Sequence, residues 1–128
     1  MKEKLKTGSE KVRLLIVDDS ATVRDSVTRL CSLNPRLEVV GQAKDGVEAL
    51  AAIRKLKPDV VTLDLRMPNL GGLEVLQAVR DEIEKMVVIV LTARNEEFYR
   101  QKCFELGARH VFDKSGDFEP LLLVLRSL

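Results

Sequence analysis

Five times along this chain a short apolar run gives way to a stretch with helical spacing, and that alternation restricts the fold more than any other feature. The runs are KVRLLIV (11–17), LEVVGQA (37–43), DVVTLDL (59–65), MVVIVLTA (86–93) and RHVFDK (109–114). Near-continuous apolar character is what parallel strands covered on both faces require. Between them, ATVRDSVTRLCSL sets Val23, Val27, Leu30 and Cys31 on one helical face. Ser20 stands ready to cap that helix, and Asn34-Pro35 to end it. Asp45 precedes Glu48 by three residues, a capping-box pattern for a helix over 45–58 that carries Ala49, Leu50, Ile53 and Leu56 on one side. Further helices are expected over 73–83, over 95–108 with Asn95 as cap and Gly107 at the stop, and over 117–128. In the last, Phe118, Leu121, Leu122, Leu125 and Leu128 form the inward stripe, and Leu123 points away.

Strand–helix units repeated five times predict an α/β fold. Right-handed crossovers leave an open doubly wound sheet or a closed barrel, and a barrel needs eight units. The open five-stranded parallel sheet, with helices on both faces, is therefore expected. Its functional crevice lies beyond the carboxyl ends of the strands. The opening MKEKLKTGSE (1–10) reads as a flexible solvated tail without the apolar segment of a signal peptide, and 11–128 as one domain.

Composition removes several classes of function. The net charge is +1, with no dense basic patch, and aromatic residues make up 4% with no Trp, so direct nucleic-acid binding is not expected. No run approaches the roughly eighteen apolar residues of a membrane span. Two distant cysteines, Cys31 and Cys103, and the single His110 supply neither a zinc site nor a redox pair. They read as packing residues in a reducing cytoplasm.

Chemistry gathers at the strand tips. The first strand runs into Asp18 and Asp19, the third ends in Asp64, the fourth in Thr92 and the fifth in Lys114. Adjacent carboxylates at the end of a buried strand repel one another, and burying either is costly unless a cation arrives. If strands one and three are neighbours, three acids converge, a donor set suited to Mg²⁺. A carboxylate held there can attack phosphorus and form an aspartyl phosphate, with Thr92 and Lys114 stabilising the transferring oxygens. Simpler readings exist for each residue. Asp18 and Asp19 could cap the first helix, although Ser20 already offers that. Thr92 and Lys114 are individually ordinary at strand ends, and Gly71-Gly72 reads better as a turn than as a phosphate cradle. Asp64, between Leu63 and Leu65, has little structural excuse.

The segments VDDS, LDLRMPNLGG, LTA and FDKS resemble the receiver domain of two-component response regulators, from about residue 12 to 128. The resemblance implies a flavodoxin-like sheet of order 2-1-3-4-5 and a signalling switch rather than an enzyme in its own right. Asp64 would accept a phosphoryl group from a phosphohistidine on a sensor histidine kinase or histidine phosphotransfer protein. Asp19 would bind Mg²⁺ directly, Asp18 mostly through water, and Arg66 through its backbone carbonyl. Lys114 would pair with the phosphoryl group, Thr92 would swing toward it, and Met67, Pro68, Gly71 and Gly72 would shape the following loop. Ala93, Arg94 and Met67 would flank the pocket. The last two helices and the fifth strand would form a partner or homodimer surface, including Leu123 and Val111.

Three positions depart from the commonest pattern of that family. Val111 stands where an aromatic residue often rotates with the threonine, and Ser115 stands where proline often follows the lysine. Arg66 and Arg94 flank the pocket, where their guanidinium groups would alter the lifetime of an acyl phosphate. Competing functions fit less well. A haloacid-dehalogenase phosphatase needs a second Asp two residues after the first, and Ser20 and Ala21 occupy those places. A flavin-phosphate carrier would not put two acids there. A pseudo-receiver, with the fold but without phosphorylation, remains the third alternative. The sequence fits a stand-alone receiver or one excised from a longer chain.

Overall fold

The computed structural model describes residues 11–93, 96–114 and 118–128. Five parallel strands, β1 (Val12–Val17), β2 (Leu37–Ala43), β3 (Val60–Leu63), β4 (Val87–Thr92) and β5 (His110–Asp113), pair in the order β2-β1-β3-β4-β5. The helices are α1 (Ala21–Cys31), α2 (Gly46–Leu56), α3 (Gly72–Ala78), α4 (Glu97–Glu105) and α5 (Glu119–Ser127). This is the flavodoxin-like doubly wound sheet that the sequence predicts. The order reverses between β1 and β3, which places their carboxyl ends side by side.

Strand periodicity divides the core in two. Leu14 and Ile16 of β1 face Val27 and Cys31 of α1 and Leu121 and Leu125 of α5. Leu15 and Val17, one residue out of phase, face Ala49 and Ile53 of α2, Val75 and Leu76 of α3 and Cys103 of α4. Leu14, Leu15 and Ile16 are fully buried, and each such side chain contributes about 1.5–3 kcal/mol through its apolar surface. Both cysteines are unpaired and buried, and burial pushes their thiols up to about 11, consistent with packing roles. Among the described residues, no helix is long and apolar enough to cross a membrane.

The helix starts follow local chemistry. Ser20 Oγ accepts the Val23 N–H at 3.2 Å, and Asp45 Oδ1 accepts the Glu48 N–H at 2.8 Å. Glu48 in turn accepts the Lys44 N–H at 3.0 Å, one residue short of a reciprocal capping box. Some ends differ from expectation. α1 stops at Cys31 with Ser32 as its C-cap; Asn34 instead donates through Nδ2 to the Leu125 carbonyl of α5. The helix expected over 73–83 breaks after Ala78, and Arg80–Lys85 form a 3-10 helix. Beyond Val79 only Ile83 is apolar in that segment, so no inward stripe exists to sustain an α-helix. α4 begins at Glu97 after Glu96; the expected cap Asn95 lies outside the described residues, as do the tail 1–10, Arg94 and Ser115.

The last helix presents Leu121, Leu125 and Leu128 inward, with Leu123 exposed as expected. Val111 requires a correction. It is 5% exposed and packs in the same core layer as Cys103 and Leu106, because the pleat of β5 turns it toward α4. A side chain inside the core cannot belong to a partner surface.

Candidate functional site

β1 and β3 end level with each other, Val17 paired with Leu63, so the residues that follow them leave the sheet together. The Asp18 N–H donates to the Ala43 carbonyl at 3.0 Å, and the Asp64 N–H donates to the Val17 carbonyl at 3.1 Å. These backbone bonds carry the sheet pattern one residue past each strand and fix two carboxylates at its rim. Asp18 and Asp64 are each 2% exposed, whereas Asp19 faces solvent. One carboxylate oxygen from each of the three lies within 4.8 Å of the others.

Lys114, one residue past β5, has its backbone N–H on the Thr92 carbonyl at 3.1 Å and reaches back across the sheet end. Its ammonium donates to Asp18 Oδ2 at 2.9 Å and lies 3.1 Å from Asp64 Oδ2. Burial works against that ammonium, but the hydrogen bond to Asp18 and the charges of Asp64 and Asp18 prevail and raise its pKa. Lys114 is shared between Asp18 and Asp64, with Asp19 beside them, and a single ammonium does not balance three carboxylates. Asp64 registers this: burial and then the Asp18 charge push its pKa up to about 6, only partly offset by Lys114.

Asp18 has a second task. Its Oδ1 accepts the Ser20 N–H at 2.9 Å, so it shapes the entry to α1 while Ser20 caps it. The turn-forming role and the cluster role coexist in one side chain, because each uses a different oxygen. Thr92 is fully buried at the end of β4. Past Asp64, the Arg66 N–H approaches Asp64 Oδ1 at 3.4 Å, a long and weak contact. Asp19, Leu65, Arg66, Met67, Gly71 and Glu74 line an open cleft. Ala93 is exposed beyond Thr92. Gly72 is required by close approach, since a Cβ there would strike the Asp64 carbonyl.

The donor set suits a hard divalent cation. All three side chains offer oxygen, two are withheld from bulk water, and burial, then the Asp18 charge, raises the pKa of Asp64. Asp18, Asp19 and Asp64 could hold such an ion, and the Arg66 carbonyl lies on the loop beside them.

Two features escaped the reading of the sequence. Arg24 donates through Nη1 to the Asp18 carbonyl at 2.7 Å and through Nε to Gln42 at 3.0 Å. Asn69 donates through Nδ2 to Asp45 Oδ2 at 2.7 Å. The only sequence signal for the second is Asn after Pro68, a pairing that favours a turn. Asn69 indeed takes a left-handed conformation, φ 70°.

The chain has relatives among known proteins. The chain is 44% identical over 97 residues to a protein-glutamate methylesterase/protein-glutamine glutaminase of Lawsonia intracellularis, covering 75% of this chain and 27% of that protein. It thus spans about a quarter of the length of the first such relatives. The crystal structure of the response regulator domain of Thermotoga maritima CheB superposes with a TM-score of 0.83 at 34% identity, covering 92% of this chain and 96% of that one. A CheX-CheY-BeF3-Mg²⁺ complex from Borrelia burgdorferi gives 0.84 at 27% identity, covering 92% and 89%. The model of the response regulator receiver domain matches residues 14–126, nearly the whole described fold, and the chain belongs to that family.

Proposed function

We propose that this receiver domain is a phosphoryl-accepting switch with Asp64 as the acceptor. The observation that carries the reading is the convergence of Asp18, Asp19 and Asp64 beside Lys114 at the carboxyl end of the sheet. An Asp64 oxygen attacks phosphorus, the P–N bond of a phosphohistidine breaks, and the imidazole leaves with the bonding pair. Burial keeps competing water from much of the acceptor, and its raised pKa leaves it ionised at neutral pH. Lys114 is already within reach of the acceptor and can follow the new phosphoryl oxygens. The Thr92 hydroxyl stands ready to approach them from the end of β4. Bound through Asp18, Asp19, Asp64 and the Arg66 carbonyl, Mg²⁺ would neutralise the excess charge and draw in the phosphoryl donor. The presence of BeF3 and Mg²⁺ with the related CheY supports that choice of ion. Met67, Arg66, Ala93 and Arg94 would set water access and so the lifetime of the acyl phosphate.

On this reading residues 11–128 form the receiver unit, and the chain is a switch in the cytoplasm rather than an enzyme. Its donor is a histidine kinase or phosphotransfer protein. Its output surface runs over α4, β5 and α5, where Phe98, Phe104 and Leu123 are exposed, and serves a downstream protein or a second copy. Val111 takes no part in that surface, and with valine at this position Thr92 must signal through another contact.

The test is incubation with Mg²⁺ and acetyl phosphate followed by intact mass measurement. A phosphoryl adduct that is absent in Asp64→Asn supports the reading. An inert wild-type chain contradicts it and favours the pseudo-receiver; steady turnover of a phosphate ester supplied in a parallel assay would indicate a phosphatase.

A further inference from the structure

The turn after β2 touches both halves of the acidic cluster. Its Ala43 carbonyl accepts the Asp18 N–H at 3.0 Å, which anchors the first acid. Two residues on, Asp45 and Gly46 hold the loop that follows Asp64. Asn69 Nδ2 donates to Asp45 Oδ2 at 2.7 Å, and the Gly46 N–H donates to the Leu70 carbonyl at 2.9 Å. The backbones approach so closely that a Cβ at Gly46 would strike the Leu70 carbonyl. At the loop's other end the Gly72 N–H donates to the Leu65 carbonyl at 2.9 Å. Residues 65–72 therefore form a closed loop pinned at its tip, with Arg66 and Met67 suspended between the pin and Asp64.

We propose that Asp45 and Asn69 are a positioning pair whose hydrogen bond sets the placement of the Arg66 segment and Asp64 relative to Asp18 and Asp19, and with it the affinity of the cation site. The proposal deepens the phosphoacceptor reading and rests on it for its consequence in phosphoryl uptake. Asn69 holds a left-handed backbone at φ 70°, a conformation asparagine tolerates in turns, and its amide is aimed at Asp45 from there. Asp45 is buried while Asn69 is exposed, so the amide reaches inward to the acid. Bonds from the Glu48 N–H and then the Asn69 amide hold the Asp45 carboxyl below its ordinary pKa, so it stays ionised as an acceptor. Neither side chain enters the cluster; both act through the loop.

Three variants isolate the bond. Asn69→Gly keeps the left-handed backbone and removes the amide. Asp45→Ser keeps a cap for α2 but is too short to reach Asn69. Asp45→Asn keeps one oxygen for the Glu48 N–H and puts an NH2 where Oδ2 stood. The Asn69 amide, turned over, presents its own oxygen to that NH2 as acceptor, so the link is kept and the variant should rescue. Mg²⁺ is titrated into each full chain while backbone amide NMR shifts near Asp64 are followed, with urea midpoints recorded in parallel. Asn69→Gly and Asp45→Ser should each weaken Mg²⁺ about tenfold, as loss of an outer partner of a metal ligand does. The double variant should lose no more than either single, and Asp45→Asn should stay within about twofold of wild type on the same scale. Asn69→Gly should slow acetyl phosphate uptake in step. Unchanged Mg²⁺ affinity in Asn69→Gly, with or without a shift in urea midpoint, overturns the proposal. A wild type that binds Mg²⁺ but takes no phosphoryl group overturns the acceptor reading alone, and the metal series still decides the pair. A wild type that binds no Mg²⁺ overturns both.

Discussion

β3 is bracketed by two aspartates that lead opposite lives. Asp59, just before the strand, accepts the Arg13 N–H through Oδ2 at 2.9 Å, while its carbonyl accepts the Val87 N–H at 2.9 Å and carries the sheet register onward. Asp64, just after the strand, is more deeply buried and stands against Asp18, with Lys114 shared between them. The first acid satisfies an N–H donor; the second is held where its charge is unwelcome, and burial raises its pKa to about 6. Of the buried polar residues among those described, Asp18, Asp45, Asp64 and Thr92 all sit at the carboxyl end, and only Thr62 lies in the interior of a strand. One end of the sheet spends its acid on structure, and at the other the proposed reading gives Asp18, Asp64 and Thr92 to chemistry.

The contrast can be strained most strongly at Lys114. Lys114→Met leaves buried carboxylates without their ammonium and should cut phosphoryl uptake from acetyl phosphate by about 10²–10³, the usual loss for one charge-stabilising donor. A rate within a few-fold of wild type would show that Lys114 is only a structural counter-ion.

A smaller effect concerns pH. Asp64 is an acid whose folded pKa lies above its ordinary 3.8. Its protonated form is the one the fold favours, so its contribution is whole below pH 4 and is lost as pH climbs through about 6. In metal-free buffer the urea-derived stability should fall by about 1–2 kcal/mol across that window, after discounting for water and counter-ions at the open cleft. Asp64→Asn should flatten the slope, and Mg²⁺ should reverse it by binding the ionised form. A slope unchanged in Asp64→Asn would place the cause elsewhere.

Smallest is the effect at the other end of β3. Asp59→Ala loses the bond to the Arg13 N–H and should cost about 1 kcal/mol in urea unfolding, with phosphoryl uptake unaltered. A large loss of uptake would erase the distinction between the two ends.

Much of the contrast is legible in the sequence. Strands buried on both faces write themselves as apolar runs, and Asp64 between Leu63 and Leu65 is conspicuous because a carboxylate there lacks a local reason. Position within the fold is harder to read. Val111 looks available for a partner because sequence does not say which side of an edge strand the pleat turns inward. The 73–83 segment looks helical because its residues favour helix, and that propensity hides a visible lack: after Val79 only Ile83 is apolar, too little to hold an α-helix on the sheet. Asp45 reads correctly as a cap, yet its second oxygen is claimed by Asn69, 24 residues away, and no local pattern records such a pairing.

The most direct measurement is Mg²⁺ titration of wild type, Asp18→Asn, Asp64→Asn and Asp59→Asn, followed by backbone amide NMR. The account predicts saturable shifts at residues 18, 19, 64 and 66 in wild type and Asp59→Asn, and weakened binding in Asp18→Asn and Asp64→Asn. Equal binding in all four chains, or shifts centred on Asp59, would contradict it.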